Sequence, residues 1–248
     1  MLQPEQIIQH VVATTKPRVV VELGCGTGSN LATVQSAHPG VSQMIGCDVS
    51  LQALTLARGT LETFPATPDL LLVHSDGDHL PLEPGCADLV LLINVLHHAT
   101  DLSLVADAAR LVRPGGTILI IDISSGNFLH NLARVAWKYL PRSLRRRFKH
   151  DLLVGDEAPS VRLVNLVDLD FIARQHGLLP EAHDYKGLFL FTLQYACMLF
   201  PAVARYIPRV VWLGLADLER KALAVPFLGT RCAGFSVRYR MMPVLPAL

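Results

Sequence analysis

Charge is scarce in this chain. Asp, Glu, Lys and Arg make up 17% of its 248 residues, against roughly 25% in ordinary globular domains. What charge there is nearly cancels, because 22 Lys and Arg meet 21 Asp and Glu for a net +1. No global field draws the chain to nucleic acid, so the composition speaks against that partner, and any electrostatic partner must be met by a local patch. Cysteine is sparse and odd in number, five in all, without a CxxC or a His/Cys cluster at zinc-ligand spacing. That excludes a disulfide framework and a recognisable metal site, and it suits a reduced, cytoplasmic location. The N-terminus, Met1–His10, lacks the basic and apolar regions of a signal peptide. Repeats and low-complexity tracts are missing. One uncharged apolar stretch, Gly187–Ala204, is interrupted by Thr192, Gln194, Tyr195 and Pro201. It reads as a buried strand and a turn rather than a membrane span, which needs about 20 predominantly apolar residues.

Apolar residues are plentiful. Hydrophobic types reach 51% and mean hydropathy is +0.37, enough to bury a large core and to exclude intrinsic disorder. Over the first 125 residues, strand signals alternate with helix signals. Strands are expected at Arg18–Leu23, Met44–Val49, Leu70–His74, Ala87–Ile93 and Thr117–Asp122. Helices are expected at Leu31–Ala37, from Leu51 to about Glu62 behind a Ser50 cap, and from Asp101 to Val112, where Arg113-Pro-Gly-Gly116 interrupts. Near-continuous apolar strands between helices mean a parallel sheet covered on both faces, joined by right-handed crossovers.

Residues 126–160 break this rhythm and read as a helical, basic cap insertion between residues 1–125 and 161–248 of one domain. Phe128, Leu132, Val135 and Tyr139 lie along one helical face. From Arg134 to Lys149 there are seven Lys or Arg and no acid, interleaved with Trp137, Tyr139 and Phe148. Three uses stay open: a solvated face, peripheral contact with an anionic membrane, or a pocket for an anionic substrate. Beyond the insertion, a helix is expected from Asn165 through Gln175, ended by Gly177, a strand at Leu188–Met198, a helix at Arg209–Leu223 and a last strand at Gly234–Met241.

The most informative stretch is Val19-Val-Val-Glu22-Leu-Gly24-Cys25-Gly26-Thr-Gly28, a strand running into three alternating glycines and then a helix. The dinucleotide fingerprint G-x-G-x-x-G/A places its third glycine one residue later. Glu22, at the strand end, would repel a pyrophosphate and attract an ammonium or sulfonium. Asp48 ends the second strand, where a carboxylate can accept both ribose hydroxyls, and Asp76 follows the third. In an open α/β sheet the ligand crevice lies at the carboxyl ends of the strands, so the three acids should converge there around a cationic nucleoside.

These residues resemble the class I S-adenosylmethionine-dependent methyltransferases. VVVELGCGTG is similar to their first motif, CDVS to the segment after it, and DGDHLPL to the element after the third strand. ADLVLLINVLHH and LVRPGGTILIID resemble the stretches at the fourth and fifth strands. The matches run in the family's order from 18 to 122, about half the chain. The resemblance implies a Rossmann-like, doubly wound, seven-stranded sheet, mostly parallel with an antiparallel last strand, and S-adenosylmethionine as cofactor. Glu22 and the backbone of Gly24, Cys25, Gly26 and Gly28 would then hold its methionine end. Asp48 would bind the ribose, Val49 would lie against adenine, and Asp76 with Gly77 would read the adenine amine. Asn94 and Val95 would flank the amino-acid moiety. Asn94-Val-Leu-His97 also departs from the Asn/Asp-Pro-Pro-Tyr of exocyclic-nitrogen methylation, which disfavours adenine-N6 chemistry.

A general base is required only where the methylated atom must lose a proton. His97, His98 and His130 are the candidates for that role, with Asp122 facing the same crevice. The resulting expectation is methyl transfer to O, C or N of an apolar small molecule of polyketide, isoprenoid or lipid kind. Two alternatives remain open: a non-methylating cyclisation or rearrangement on the same fold, and a nonenzymatic cofactor-binding subunit.

Overall fold

A computed structural model describes residues 3–64, 68–75, 80–99, 101–125, 164–187, 208–225, 228, 232 and 234–243. Helix α1 (Pro4–Thr15) precedes β1 (Val19–Leu23), α2 (Ser29–Ala37), β2 (Gln43–Asp48), α3 (Leu51–Leu61), β3 (Asp69–His74) and β4 (Ala87–Ile93). A 3-10 turn (Leu96–His98), α4 (Ser103–Leu111), β5 (Val112–Ile123), α5 (Leu166–Gln175), β6 (Leu178–Lys186), α6 (Arg209–Leu223) and β7 (Gly234–Met241) follow.

The seven strands form one sheet in the order β3-β2-β1-β4-β5-β7-β6. Pairing is parallel from β3 through to β5, with Val21 opposite both Ile45 and Val90, and Ile93 opposite Ile121. The end of β7 meets the beginnings of its neighbours, which makes it antiparallel. The Met242 amide donates to the Gly177 carbonyl at 3.0 Å, and Arg240 reaches Glu181 of β6 and the Gly115 carbonyl of β5. The expected sheet is therefore the one formed, antiparallel strand included.

β1, β4 and β5 are buried on both faces, as their β-branched and leucine runs require. On one face Val20, Leu89, Leu91, Ile93, Leu119 and Ile121 join Ile7, Ile8, Val11 and Val12 of α1, Leu31 and Val34 of α2, and Leu54 and Leu61 of α3 in a single core. Their strand neighbours Val21, Val90, Leu92, Ile118 and Ile120, equally buried, alternate onto the opposite face.

Three elements differ from the sequence-based expectation. The sixth strand is Leu178–Lys186, not Leu188–Met198, which lies outside the described residues. Pro180 and the charges of Leu-Leu-Pro-Glu-Ala-His-Asp-Tyr-Lys hide it, but β6 is an edge strand, where a missing N–H is tolerated. The fifth strand starts at Val112 and runs through Pro114, Gly115 and Gly116, with its register against β4 shifted between Ala87 and Leu89. No element is expected before Arg18, yet α1 forms there. Its four buried branched residues sit at i, i+1, i+4 and i+5 of one helical face.

By compactness the chain divides into two units. One comprises Leu2–Asp122, Val167–His183 and Ser236–Leu248; the other comprises Ile123–Leu166 and Asp184–Phe235, with Met1. Within the latter, Ser124 bridges Val164 in parallel and the Ser125 amide donates to the Val164 carbonyl at 2.9 Å. The two ends of the 126–163 excursion thus lie side by side, while the insertion's predicted helix and basic run fall outside the described residues. Among the described residues no helix is long and apolar enough to cross a membrane.

Candidate active site

The parallel order brings the carboxyl ends of β1, β2, β4 and β5 to one edge. Glu22, next to last in β1, is fully buried on the face that α2 covers. Asn30, on the first turn of α2, donates from Nδ2 to Glu22 Oε1 at 2.7 Å. The other oxygen, Oε2, is buried without a partner. Burial raises the Glu22 pKa to about 8; Asn30 opposes that rise and the nearby Asp48 adds to it. Without a cation, Glu22 therefore holds its proton through neutrality. A buried carboxylate with one unused oxygen is a place prepared for a positively charged donor.

The glycine loop turns over this carboxylate. The Gly24 and Cys25 amides donate to the Cys47 carbonyl at 2.8 and 2.9 Å. Gly24 is left-handed at φ +76°, and a Cβ there would lie 2.4 Å from Val95 Cγ2. Gly26 is also left-handed, but a Cβ on it would meet no atom within 4 Å. The backbone is thus closed beneath Gly24 and open above Gly26, the shape of a cradle for a ligand. Gly28 precedes α2 and abuts Ala57 of α3. Cys25 points away into the core; burial pushes its thiol pKa up, and burial raises that of Cys47 to about 12. Both are inert hydrophobes. Replacing Gly24 by Ala combines a strained φ with a side-chain collision. It should cost about 1–3 kcal/mol for the backbone alone, read as a lower midpoint in urea unfolding, and Val95→Ala should recover part of the loss.

Asp48 is held by two backbone amides. Its Oδ2 accepts from the Gly26 amide at 2.7 Å and its Oδ1 from the Ser50 amide at 2.8 Å, so it ties the glycine loop to the start of α3. Each carboxylate oxygen keeps a second lone pair for a ligand hydroxyl. Ser50 caps α3 as expected, accepting from the Ala53 amide. Val49 is exposed beside it, and its carbonyl accepts from His74 Nε2 at 2.9 Å. Asp76, Gly77 and His130 lie outside the described residues. The loop that follows Asp76 is pinned at its far end by Arg110 of α4, whose guanidinium donates to the carbonyls of Leu80 and Leu82.

On the other side of the loop Asn94 adopts φ +54°, and its amide donates to the Ile121 carbonyl at 2.8 Å. The chain then turns into Leu96–His98. Asp122, buried at the end of β5, accepts from the Leu96 amide at 2.8 Å and from His97 Nδ1 at 2.7 Å. A carboxylate can only accept, so Nδ1 carries the hydrogen and Nε2 of the neutral ring is left with its lone pair. His98 lies with its ring centroid 4.0 Å from that of His97. Burial, then His97, hold the His98 pKa below its usual value against the pull of Asp122. Sequence reasoning names Asp122 but not its bond to His97, and it passes over Asn30 and Arg110.

A sheet of this order, with an acid beneath a glycine loop that opens toward the strand ends, defines the class of Rossmann-like S-adenosylmethionine-binding methyltransferases. Residues 21–120 match the family model described as "Methyltransferase domain". The chain is 31% identical over 171 residues to a ubiquinone biosynthesis O-methyltransferase of Thiobacillus denitrificans, covering 68% of this chain and 67% of that protein. Among solved structures, a SAM-dependent methyltransferase from Methanosarcina mazei superposes with TM-score 0.61 at 13% identity, covering 98% of this chain and 99% of that one. Phosphoethanolamine N-methyltransferase 2 of Haemonchus contortus, solved in complex with S-adenosyl-L-methionine, gives TM-score 0.55 at 15% identity over 96% of this chain and 52% of that one. The chain belongs to the class I S-adenosylmethionine-dependent methyltransferases: it is an enzyme of that family, and its cofactor is S-adenosylmethionine.

Proposed function

We propose that this enzyme methylates a protic oxygen of an apolar small molecule, a phenol or acid with an aliphatic tail, with His97 as the proton acceptor. The observation that carries this reading is the Asp122–His97 bond at the strand ends next to the glycine loop. A free amine is already nucleophilic and needs no such oriented base; a hydroxyl, which must shed its proton as the bond forms, does, and an activated carbon, which also loses a proton, is the competing acceptor that the labelling test separates from it. The ubiquinone-biosynthesis name of the Thiobacillus relative and the low charge of the chain support an apolar acceptor.

S-adenosylmethionine supplies a methyl group on a sulfonium, which leaves by in-line displacement. The protein's part is to hold and orient. Glu22 offers its unpaired oxygen to the ammonium of the methionine end, and the backbone from Gly24 to Gly28, Cys25 included, lies along it. Asp48 keeps two lone pairs for the ribose, and Val49 presents an apolar wall to adenine, with Asp76 and Gly77 assigned to the amine. Asn94 and Val95 close the amino-acid side. His97 Nε2 takes the substrate proton, while Asp122 holds the ring's tautomer and steadies the charge it gains. His98, kept neutral beside it, is the second acceptor within the same turn.

Product analysis with methyl-labelled cofactor tests this directly. A panel of tailed phenols, tailed carboxylic acids, amines and activated-methylene compounds should give label on oxygen. Label on carbon or nitrogen alone, at comparable turnover, would overturn the assignment.

A further inference from the structure

We infer that the unit formed by Ile123–Leu166 and Asp184–Phe235 docks on an anionic lipid bilayer through the exposed face of α6. This goes beyond methyl transfer and stands whether or not the oxygen assignment above is right.

The first observation is where the charge lies. The chain is neutral as a whole, but its two compact units are not. In sequence, the unit of Ile123–Leu166 and Asp184–Phe235 holds 14 Lys and Arg against 6 Asp and Glu, a net +8; the other holds 8 against 15, a net −7; together they return the chain's 22 and 21. Opposite charge on two parts of one chain marks one of them for an acidic partner.

The second observation is α6 itself. Val210 is 71% exposed, Leu213 61%, Leu218 56% and Val211 44%. At 100° per residue Val210, Val211 and Leu218 share one face, with Leu213 at its edge and Val225, just past the helix, in line. Glu219 and Leu223, both buried, occupy the opposite side. After Arg209, no charge appears until Asp217. The charges then collect at the C-terminal end, where Arg220 and Lys221 both pair with Asp217 and, counted with Asp217 and Glu219, cancel to zero, so most of the unit's positive excess lies outside this helix. Single exposed apolar residues are ordinary, but four bulky ones on one 15-residue helix are not.

Net positive charge together with an apolar face distinguishes among acidic partners. Nucleic acid would use the cations and stacking rings, and gains nothing from Val and Leu. A second copy meeting this one α6 to α6 would bring another unit of +8 against the first. An anionic bilayer uses both features, with the side chains of α6 entering the interface and the cations meeting headgroups.

The test uses the full-length chain and vesicles of phosphatidylcholine with or without about a third phosphatidylglycerol. Cosedimentation should occur with the anionic vesicles, fade at high salt and be far weaker with phosphatidylcholine alone. Changing Val210, Val211, Leu213 and Leu218 together to Gln should weaken vesicle binding about tenfold or more, since most of the buried apolar area is lost. Cofactor binding, measured in the same preparation, should be unchanged, which separates lost docking from lost folding. Arg220→Gln with Lys221→Gln should weaken binding at low salt and make no difference at high salt. With Trp137 and Trp212 both changed to Phe, a Val211→Trp reporter on the face should shift its emission to the blue on anionic vesicles alone. Equal binding by the four-Gln variant would overturn the proposal, as would no cosedimentation at all. So would a dimer in sedimentation velocity that the four-Gln changes dissolve, or polyuridylate that displaces the protein from vesicles and binds the four-Gln variant unimpaired.

Discussion

Binding of S-adenosylmethionine at pH 7 should expel close to one proton from the protein, and that proton should come from Glu22. In the empty protein burial raises this carboxyl to about 8, so it is neutral below that. An ammonium brought against the unpartnered Oε2 favours the ionised form and drives the pKa down. Affinity should therefore rise about tenfold per pH unit from roughly pH 5 to 7.5 and level off above 8. Calorimetry in two buffers of different ionisation heat reads the released proton directly. Glu22→Gln should abolish both the release and the pH slope, and at pH 8.5 should weaken binding by about 1.5–3 kcal/mol, the worth of a hydrogen bond to a charged group. The same group sets a sign on stability. Its folded pKa lies above the unfolded value, so its contribution to the empty protein is fully present below about 4.5 and is lost as pH rises toward 8. Cofactor should then raise the melting temperature more at pH 8 than at pH 6. Proton release that persists in Glu22→Gln would assign the linkage to another group.

How this site could be read from sequence, and where it could not, follows from which interactions are local. Val19–Leu23 and Ala87–Ile93 are apolar runs ending at Gly24 and Asn94, and a buried parallel strand can hardly be written otherwise. That fixes the crevice edge, and Glu22 stands out because a carboxylate inside such a run needs a reason. Its partner Asn30 does not stand out, since Nδ2 reaches Oε1 only once α2 has folded back over β1. Asp122 and His97 are 25 residues apart and meet because β4 and β5 are neighbours with Ile93 opposite Ile121. The order of strands, not the spacing of residues, makes that pair. Edge strand β6 fails the same test in reverse. Its composition is polar and contains Pro180 because an edge position demands little of it, so the apolar run after it carries the stronger strand signal.

Asp122→Asn should slow methylation of a protic acceptor about 100-fold or more in kcat, with KM and cofactor affinity little changed, in line with the usual worth of positioned proton transfer. The Asn side chain can still accept from the Leu96 amide, so the turn keeps its anchor. What it loses is the charge that steadies a protonated His97 and the insistence on a hydrogen at Nδ1. The pH profile separates this from a merely structural loss. Wild-type kcat should climb along a single limb to a plateau, the signature of one base that must be free of its proton. In His97→Gln the activity left should be small and without that limb, while an acceptor supplied already ionised should be methylated nearly as well as by the wild type. His98→Gln should cost about tenfold and keep the limb, because its neighbour still carries the Asp122 bond. If His97→Gln retains the limb and His98→Gln loses it, the base is His98, and Asp122 acts on it only across the tilted ring of His97. A limb that survives both substitutions would place the proton acceptor outside this turn altogether.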